Sequence, residues 1–334
     1  MATSVHQRWQ EIVARYTHPS TLRSIWQIVN SLVPFVAIWV AMVYSLQVGY
    51  WLTLLLSVPA AGFMVRLFII FHDCTHGSFF SSTKANTLVG SFIGVLVFTP
   101  FEQWQRDHAI HHATAGNLDK RGTGDVMTIT VREYLALPWY KKVGYRILRN
   151  PLILFTIGSL IDFVILHRLP TKTSGKRELR SVWWTNFFLA ALIIILGQTI
   201  GWLTLLAVEL PILFFACSAG VWMFYVQHNF DGTYWERQKG WDFLKAGMDG
   251  SSFYKLPAIL NWFTGNIGYH HIHHLAPRIP NYLLPRAYRE NPLFHIKPLT
   301  IRRSLKSLAY RLWDEDGKKL VSYAVLNKYK NNPA

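Results

Sequence analysis

Acidic residues, charge in general and cysteine are all scarce in this chain. Of its 334 residues 18 are Asp or Glu, against 34 Lys or Arg, and charged residues make up only 16%. Soluble domains carry about 25%. Sparse charge, 51% hydrophobic residues and a mean hydropathy of +0.17 exclude an ordinary soluble enzyme and predict an integral membrane protein. The two cysteines, Cys74 and Cys217, form no disulfide or zinc pattern and favour a reducing, cytosolic setting. The first thirty residues mix polar and apolar types, carry Arg8, Arg15 and Arg23, and show no small-residue cleavage site, so no signal peptide is expected. The basic excess comes without a nucleic-acid-binding motif and lies beside apolar spans, so no nucleic acid partner is expected. Lys and Arg instead report topology, because they collect in cytoplasmic segments and meet anionic headgroups there.

Long apolar runs are present. Ser31 to Leu46 and Tyr50 to Phe71, joined by Gln47-Val48-Gly49, read as one transmembrane hairpin; Val182 to Tyr225, turning near Gly197 to Trp202, reads as a second. Both tips lack Lys and Arg, whereas the N-terminus, Lys120 to Arg149, Thr171 to Arg180 and the chain after Arg237 are basic and are expected to face the cytosol. Asn86 to Phe101 and Pro151 to His167 are also apolar, but a full crossing by either would put histidine clusters on opposite sides of the membrane. They are read as re-entrant or interfacial. The expected fold is an all-α integral membrane protein forming one domain over 1–334. It has a cytosolic N-terminus (1–30), a first hairpin (31–71), a cytosolic and interfacial segment (72–181), a second hairpin (182–227) and a cytosolic histidine-rich cap (228–334). One helix is expected in the cap around Ile301 to Trp313. The 14 Trp residues read as interface anchors and core packing.

Nine of the 14 histidines fall in three tight clusters: His72 and His76; His108, His111 and His112; His270, His271, His273 and His274, of which His271 lies off the shared helical face and leaves eight on the three faces. At i, i+4 or i, i+3, i+4 spacing each cluster presents one nitrogen-rich face. So many imidazoles beside membrane spans would cost desolvation and mutual repulsion on protonation unless they hold metal. One ion with open positions needs about three or four protein ligands, so His72, His76, His108, His111, His112, His270, His273 and His274 argue for two ions. His228, at the end of the last span, can join them or face headgroups. His271 reads as a supporting or solvent-facing residue, and the isolated His6, His18, His167 and His295 as ordinary polar residues. Among Asp73, Glu102, Asp107, Asp119, Asp125 and Asp231, some are expected to take the second N–H of a metal-bound imidazole. An all-imidazole pair without thiolate suits redox iron and oxygen chemistry better than zinc hydrolysis, and its position at the membrane boundary fits a lipid-borne substrate.

His72-x-x-x-His76, His108-x-x-His111-His112 and His270-x-x-His273-His274 resemble the three histidine boxes of the membrane fatty acid desaturases. The runs Ile69-Ile-Phe-His-Asp-Cys-Thr-His-Gly-Ser-Phe-Phe, Ile110 to Asp125, Gly250-Ser-Ser-Phe-Tyr-Lys-Leu-Pro and Thr264 to His274 are similar in particular to the Δ5 acyl-lipid desaturases of bacilli. That resemblance implies a non-haem di-iron enzyme of the bacterial cytoplasmic membrane, with its site on the cytosolic side. Such an enzyme uses O2 and two electrons to place a cis double bond in a saturated phospholipid acyl chain. The resemblance also implies His228, in Tyr225-Val-Gln-His, as a ninth ligand. The chain carries no His-Pro-Gly-Gly haem motif, so an external donor such as ferredoxin or flavodoxin is expected. The same spacing occurs in membrane hydroxylases of lipid, sterol or carotenoid substrates, the nearest rival. A metal transporter would instead place histidines along opposed spans.

Overall fold

The computed structural model describes residues 9–171 and 173–330; His6 and Arg8 lie outside the described residues. Helix α1 (Thr21–Ser45) turns over 46–49 into α2 (Tyr50–Thr75). The first helix starts ten residues before the apolar run because its early turns are amphipathic with an inverted pattern. Ser24, Gln27 and Ser31 face the protein, while Leu22, Trp26 and Val29 face outward. Hydropathy averaging hides such a turn, since its polar residues find partners inside the fold.

Helices α3 (Thr83–Leu96) and α4 (Phe101–Thr114) meet at a bend of 100°. The bend is built by Phe98 at φ +59°, by the Thr99 N–H donating to the Gly94 carbonyl at 2.8 Å, and by Pro100, which fixes entry into α4. A Cβ on Gly94 would lie 2.5 Å from the Thr99 carbonyl oxygen, so only glycine permits that approach. Such a bent pair of apolar helices has the shape of a broken span or of a re-entrant loop. After a surface helix over Trp139–Leu148, whose Trp139, Val143 and Ile147 are exposed, comes α5 (Pro151–Arg168), with a π turn at Leu154–Gly158. A second hairpin pairs α6 (Lys176–Ile200) with α7 (Trp202–His228) through Gly201 at φ +89°. The described residues contain five helices long and apolar enough to cross a membrane, α1, α2, α5, α6 and α7. By length and composition α5 therefore qualifies as a span as well.

Helix α2 is the hub, packing on α1, α3, α4 and α7. Its inner face, Leu67, Ile70 and Phe71, joins Phe101, Ile93, Phe79 and Met42 in the main core. Short strands complete the fold: β1 (Ile129–Thr130), β2 (Tyr254–Lys255), β3 (Leu299–Thr300), β4 (Leu312–Asp314) and β5 (Lys319–Val321). The helix expected around Ile301 to Trp313 is a correction. Only Ile301–Ser304 is α-helical, Leu305–Ala309 is a 3-10 turn, and Leu312 and Trp313 are extended. β4 pairs in parallel with β1 and antiparallel with β5. Burying Leu312 and Trp313 at 0% and 1% exposure in that sheet outweighs the weak local helix propensity. The expected all-α class thus holds for the scaffold, with these small sheets added outside the long helices.

Candidate metal centre

The last turn of α2 carries His72 and its C-cap is His76; α4 carries His108, His111 and His112; His228 ends α7; and α8 (His270–Leu275) carries the third cluster. The α3–α4 bend turns α4 back along α2, bringing the His72 and His108 rings to 4.9 Å between centroids. The nine histidines converge as two adjoining sets. Single nitrogens of His72, His76, His108, His112 and His273 all lie within 4.8 Å of one another, as do those of His111, His228 and His274. His270 closes the second set, its Nε2 lying 3.0 Å from His228 Nε2 and 3.1 Å from His274 Nε2. The sets meet where His112 and His274 stack at 4.2 Å.

The donor geometry fits metal. Two imidazole nitrogens bound at right angles about 2.1 Å from one ion lie about 3.0 Å apart. His108 and His112 Nε2 are 3.0 Å apart, His112 and His273 Nε2 3.1 Å, and His111 and His228 Nε2 3.2 Å. His76 Nε2 is buried without a hydrogen-bond partner. Burial, reinforced by neighbouring imidazoles, holds His76, His270, His273 and His274 well below the ordinary imidazole pKa. They are therefore neutral, the form that binds metal.

The far side of several rings is tied down. His72 Nδ1 lies 3.2 Å from Asp73 Oδ1 and His111 Nδ1 2.8 Å from Asp125 Oδ1, and His228 Nδ1 reaches the Gly250 carbonyl at 3.2 Å. A proton held on Nδ1 leaves the Nε2 lone pair facing the centre. Among the described residues, Asp73 and Asp125 are the two of the six candidate carboxylates within ion-pair distance of a clustered histidine. Glu102 pairs with Arg177, Asp119 with Arg237, and Asp231 is exposed. His271 is fully buried with Nε2 2.9 Å from the Phe294 carbonyl, which rules out the solvent-facing reading and leaves it supporting the loop behind α8. Burial pushes its pKa down to about 4. His18 is exposed, His167 lies 3.6 Å from Asp162, and His295 meets the Tyr288 carbonyl; none joins the centre.

Sequence reasoning missed Gly250, whose carbonyl carries no side-chain signal, and Trp104, which stacks on His108 at 4.1 Å. Trp104 lies one helical turn before His108 on the same face, a spacing that could have been read. Beside His228 a small crevice is lined by Asp125, Phe224, Trp235 and Gly250, among others.

A model of the fatty acid desaturase family matches residues 49–297, a range that contains all nine histidines. A fatty acid desaturase of Bacillus subtilis (strain 168) is 46% identical over 315 residues, covering 94% of this chain and 90% of that protein. The sn-1 acyl-lipid omega-3 desaturase (ferredoxin) of a Synechocystis species is 28% identical over 66% of this chain and 62% of its own length. The acyl-lipid omega-3 desaturase (cytochrome b5) of the Arabidopsis thaliana endoplasmic reticulum is 25% identical over 86% of this chain and 78% of its own length. The chain therefore belongs to the fatty acid desaturase family, a family of oxidoreductases.

Proposed function

We propose that the protein is a di-iron acyl-lipid desaturase that forms a cis double bond, of Δ5 type, in saturated acyl chains of membrane phospholipids. The single observation that carries this reading is the division of nine imidazoles into two adjoining sets of nitrogens, with no cysteine in either. His72, His76, His108, His112 and His273 would hold one ion, and His111, His228, His270 and His274 the other. Two bound irons would supply the redox chemistry with O2 and two electrons. Asp73, Asp125 and the Gly250 carbonyl keep the imidazole tautomers fixed, and close burial of the rings keeps bulk water from the reacting methylenes. Ferredoxin and cytochrome b5 appear in the names of relatives. A small acidic donor of the ferredoxin or flavodoxin kind suits the basic cytosolic segments here.

The proposed topology has four crossings, α1, α2, α6 and α7, in the bacterial cytoplasmic membrane, with the centre on the cytosolic side. Were α5 to cross as well, three crossings would separate the second cluster from the third. His111 and His274 nevertheless stack edge to face at 5.1 Å, which supports an embedded α5 that returns to its own side.

The test is expression in a desaturase-free bacterium with a competent donor, followed by gas chromatography and mass spectrometry of membrane fatty acids derivatised to locate double bonds. New monounsaturated chains, absent with His108→Ala, are expected. Hydroxylated lipid would move the assignment to a hydroxylase, and unchanged lipids despite good expression would refute the reading.

A further inference from the structure

Asp73 is 1% exposed, and its neighbours within ion-pair distance include no Lys or Arg among the described residues. Its Oδ1 faces His72 Nδ1. Its Oδ2 accepts twice from one residue, Asn281, by the backbone N–H at 2.7 Å and by Nδ2 at 2.8 Å. Asn281 follows Pro280, seven residues past His274, and opens the 3-10 turn Asn281–Leu283. Its amide is in turn fixed by Gln27 on α1: Gln27 Nε2 donates to Asn281 Oδ1 at 2.9 Å, and Asn281 Nδ2 donates to Gln27 Oε1 at 3.2 Å. Asn266 Nδ2 donates to the Asn281 carbonyl at 3.2 Å. Every polar group of Asn281 is therefore used. The reciprocal amide pair leaves one orientation in which Nδ2–H points at Asp73, because a flipped amide would set oxygen against carboxylate and nitrogen against nitrogen. Gln27, Asp73 and Asn281 are 4%, 1% and 1% exposed, so water does not stand in for a lost partner.

We infer that Asn281, oriented by Gln27, is a positioning residue for the five-histidine set, acting through Asp73 on His72. This rests on the two-metal reading above. The chemistry is that of a buried carboxylate whose distal oxygen is held by two N–H donors, leaving its proximal oxygen to take the His72 Nδ1 proton and aim Nε2 at the ion. The line Gln27–Asn281–Asp73–His72 also ties the first set to α1, a helix that contributes no histidine to either set. The four-histidine set has its own carboxylate, Asp125, whose Oδ2 is met by the Gly122 N–H at 3.3 Å, so the two sets are supported independently.

Asn281→Asp is nearly isosteric and replaces the donor to Asp73 with a like-charged acceptor. Loss of such support weakens metal binding by about 10- to 100-fold. Purified full-length protein in detergent would be titrated anaerobically with 57Fe(II), counted for bound iron and examined by Mössbauer spectroscopy. Wild type is expected to bind two irons. Asn281→Asp should bind the second-set iron with wild-type affinity and the first-set iron about 10- to 100-fold more weakly. Gln27→Met, which keeps bulk and removes both amide bonds, should show a smaller loss at the same iron. The exchange Asp73→Asn with Asn281→Asp restores a complementary hydrogen-bonded pair but moves the charge away from His72. It should regain thermal stability without regaining the first-set iron. Two irons at wild-type affinity in Asn281→Asp and Gln27→Met, or an exchange that restores iron binding, would overturn the inference. A wild-type chain binding fewer than two irons would instead overturn the two-metal reading on which it rests.

Discussion

His273→Ala and His274→Ala alter neighbouring residues that face different nitrogen sets. His273 belongs with His72, His76, His108 and His112; His274 belongs with His111 and His228, with His270 beside them. Structural zinc held by four ligands is worth about 10–16 kcal/mol, so one imidazole contributes about 2.5–4 kcal/mol, or roughly 10²- to 10³-fold in affinity. The consequence differs between the sets. Removing one of five nitrogens leaves four, as many as the smaller set holds intact, whereas removing one of four leaves three. At saturating 57Fe(II) His273→Ala should therefore hold close to two irons with one Mössbauer component altered. His274→Ala should fall toward one iron, with the other component lost. Activity should drop in both, since neither set would keep its native geometry. Loss of the same component in both variants, or equal depletion of both components in each, would refute the division of ligands described here.

His271→Ala should retain both irons, because its Nε2 is committed to the Phe294 carbonyl, yet lower the melting temperature; loss of iron in that variant would contradict its supporting role. Metal-free protein should be acid-sensitive. His76, His270, His273 and His274 are held neutral well below the ordinary imidazole value and His271 at about 4, so unfolding below pH about 6.5 takes up protons. Stability is complete above that pH and falls as pH drops toward the folded-state values. His271 alone accounts for on the order of 3 kcal/mol between about pH 6.5 and 4. Thermal unfolding of the metal-free chain at pH 7.5 and 5 reads this, and a flat profile would rule it out. Gly94→Ala should lower stability by about 1–3 kcal/mol and reduce activity, because its Cβ would meet the Thr99 carbonyl at 2.5 Å and open the bend that aims α4. A wild-type melting curve in that variant would count against the bend as a fixed element.

The histidine pattern was legible because its chemistry is local. Spacings of three and four residues place imidazoles on one helical face whatever the rest of the chain does. The long apolar runs were legible for the same kind of reason, since a bilayer imposes a length that a window of sequence can measure. Four features were decided by tertiary structure. His111 and His112, like His273 and His274, sit about 100° apart around a helix, so which nitrogen set each joins depends on how α4 and α8 are rotated against their neighbours. Of six acidic residues near the clusters, Asp73 and Asp125 reach a ring, a choice made by loop paths that spacing does not encode. The start of α1 hid because Ser24 and Gln27 point inward, where hydrogen bonds across 55 and 254 residues of chain satisfy them. Residues 312–314 became a strand because pairing with Ile129 and Val321 buries Leu312 and Trp313 more fully than a surface helix could. Sequence thus determined the family, the histidine-rich faces and the apolar helices, all set by motif, periodicity and composition. The partition of those faces into two nitrogen sets and the contacts that hold them were decided by packing between segments far apart in the chain, because only the folded arrangement fixes which faces, carboxylates and carbonyls meet.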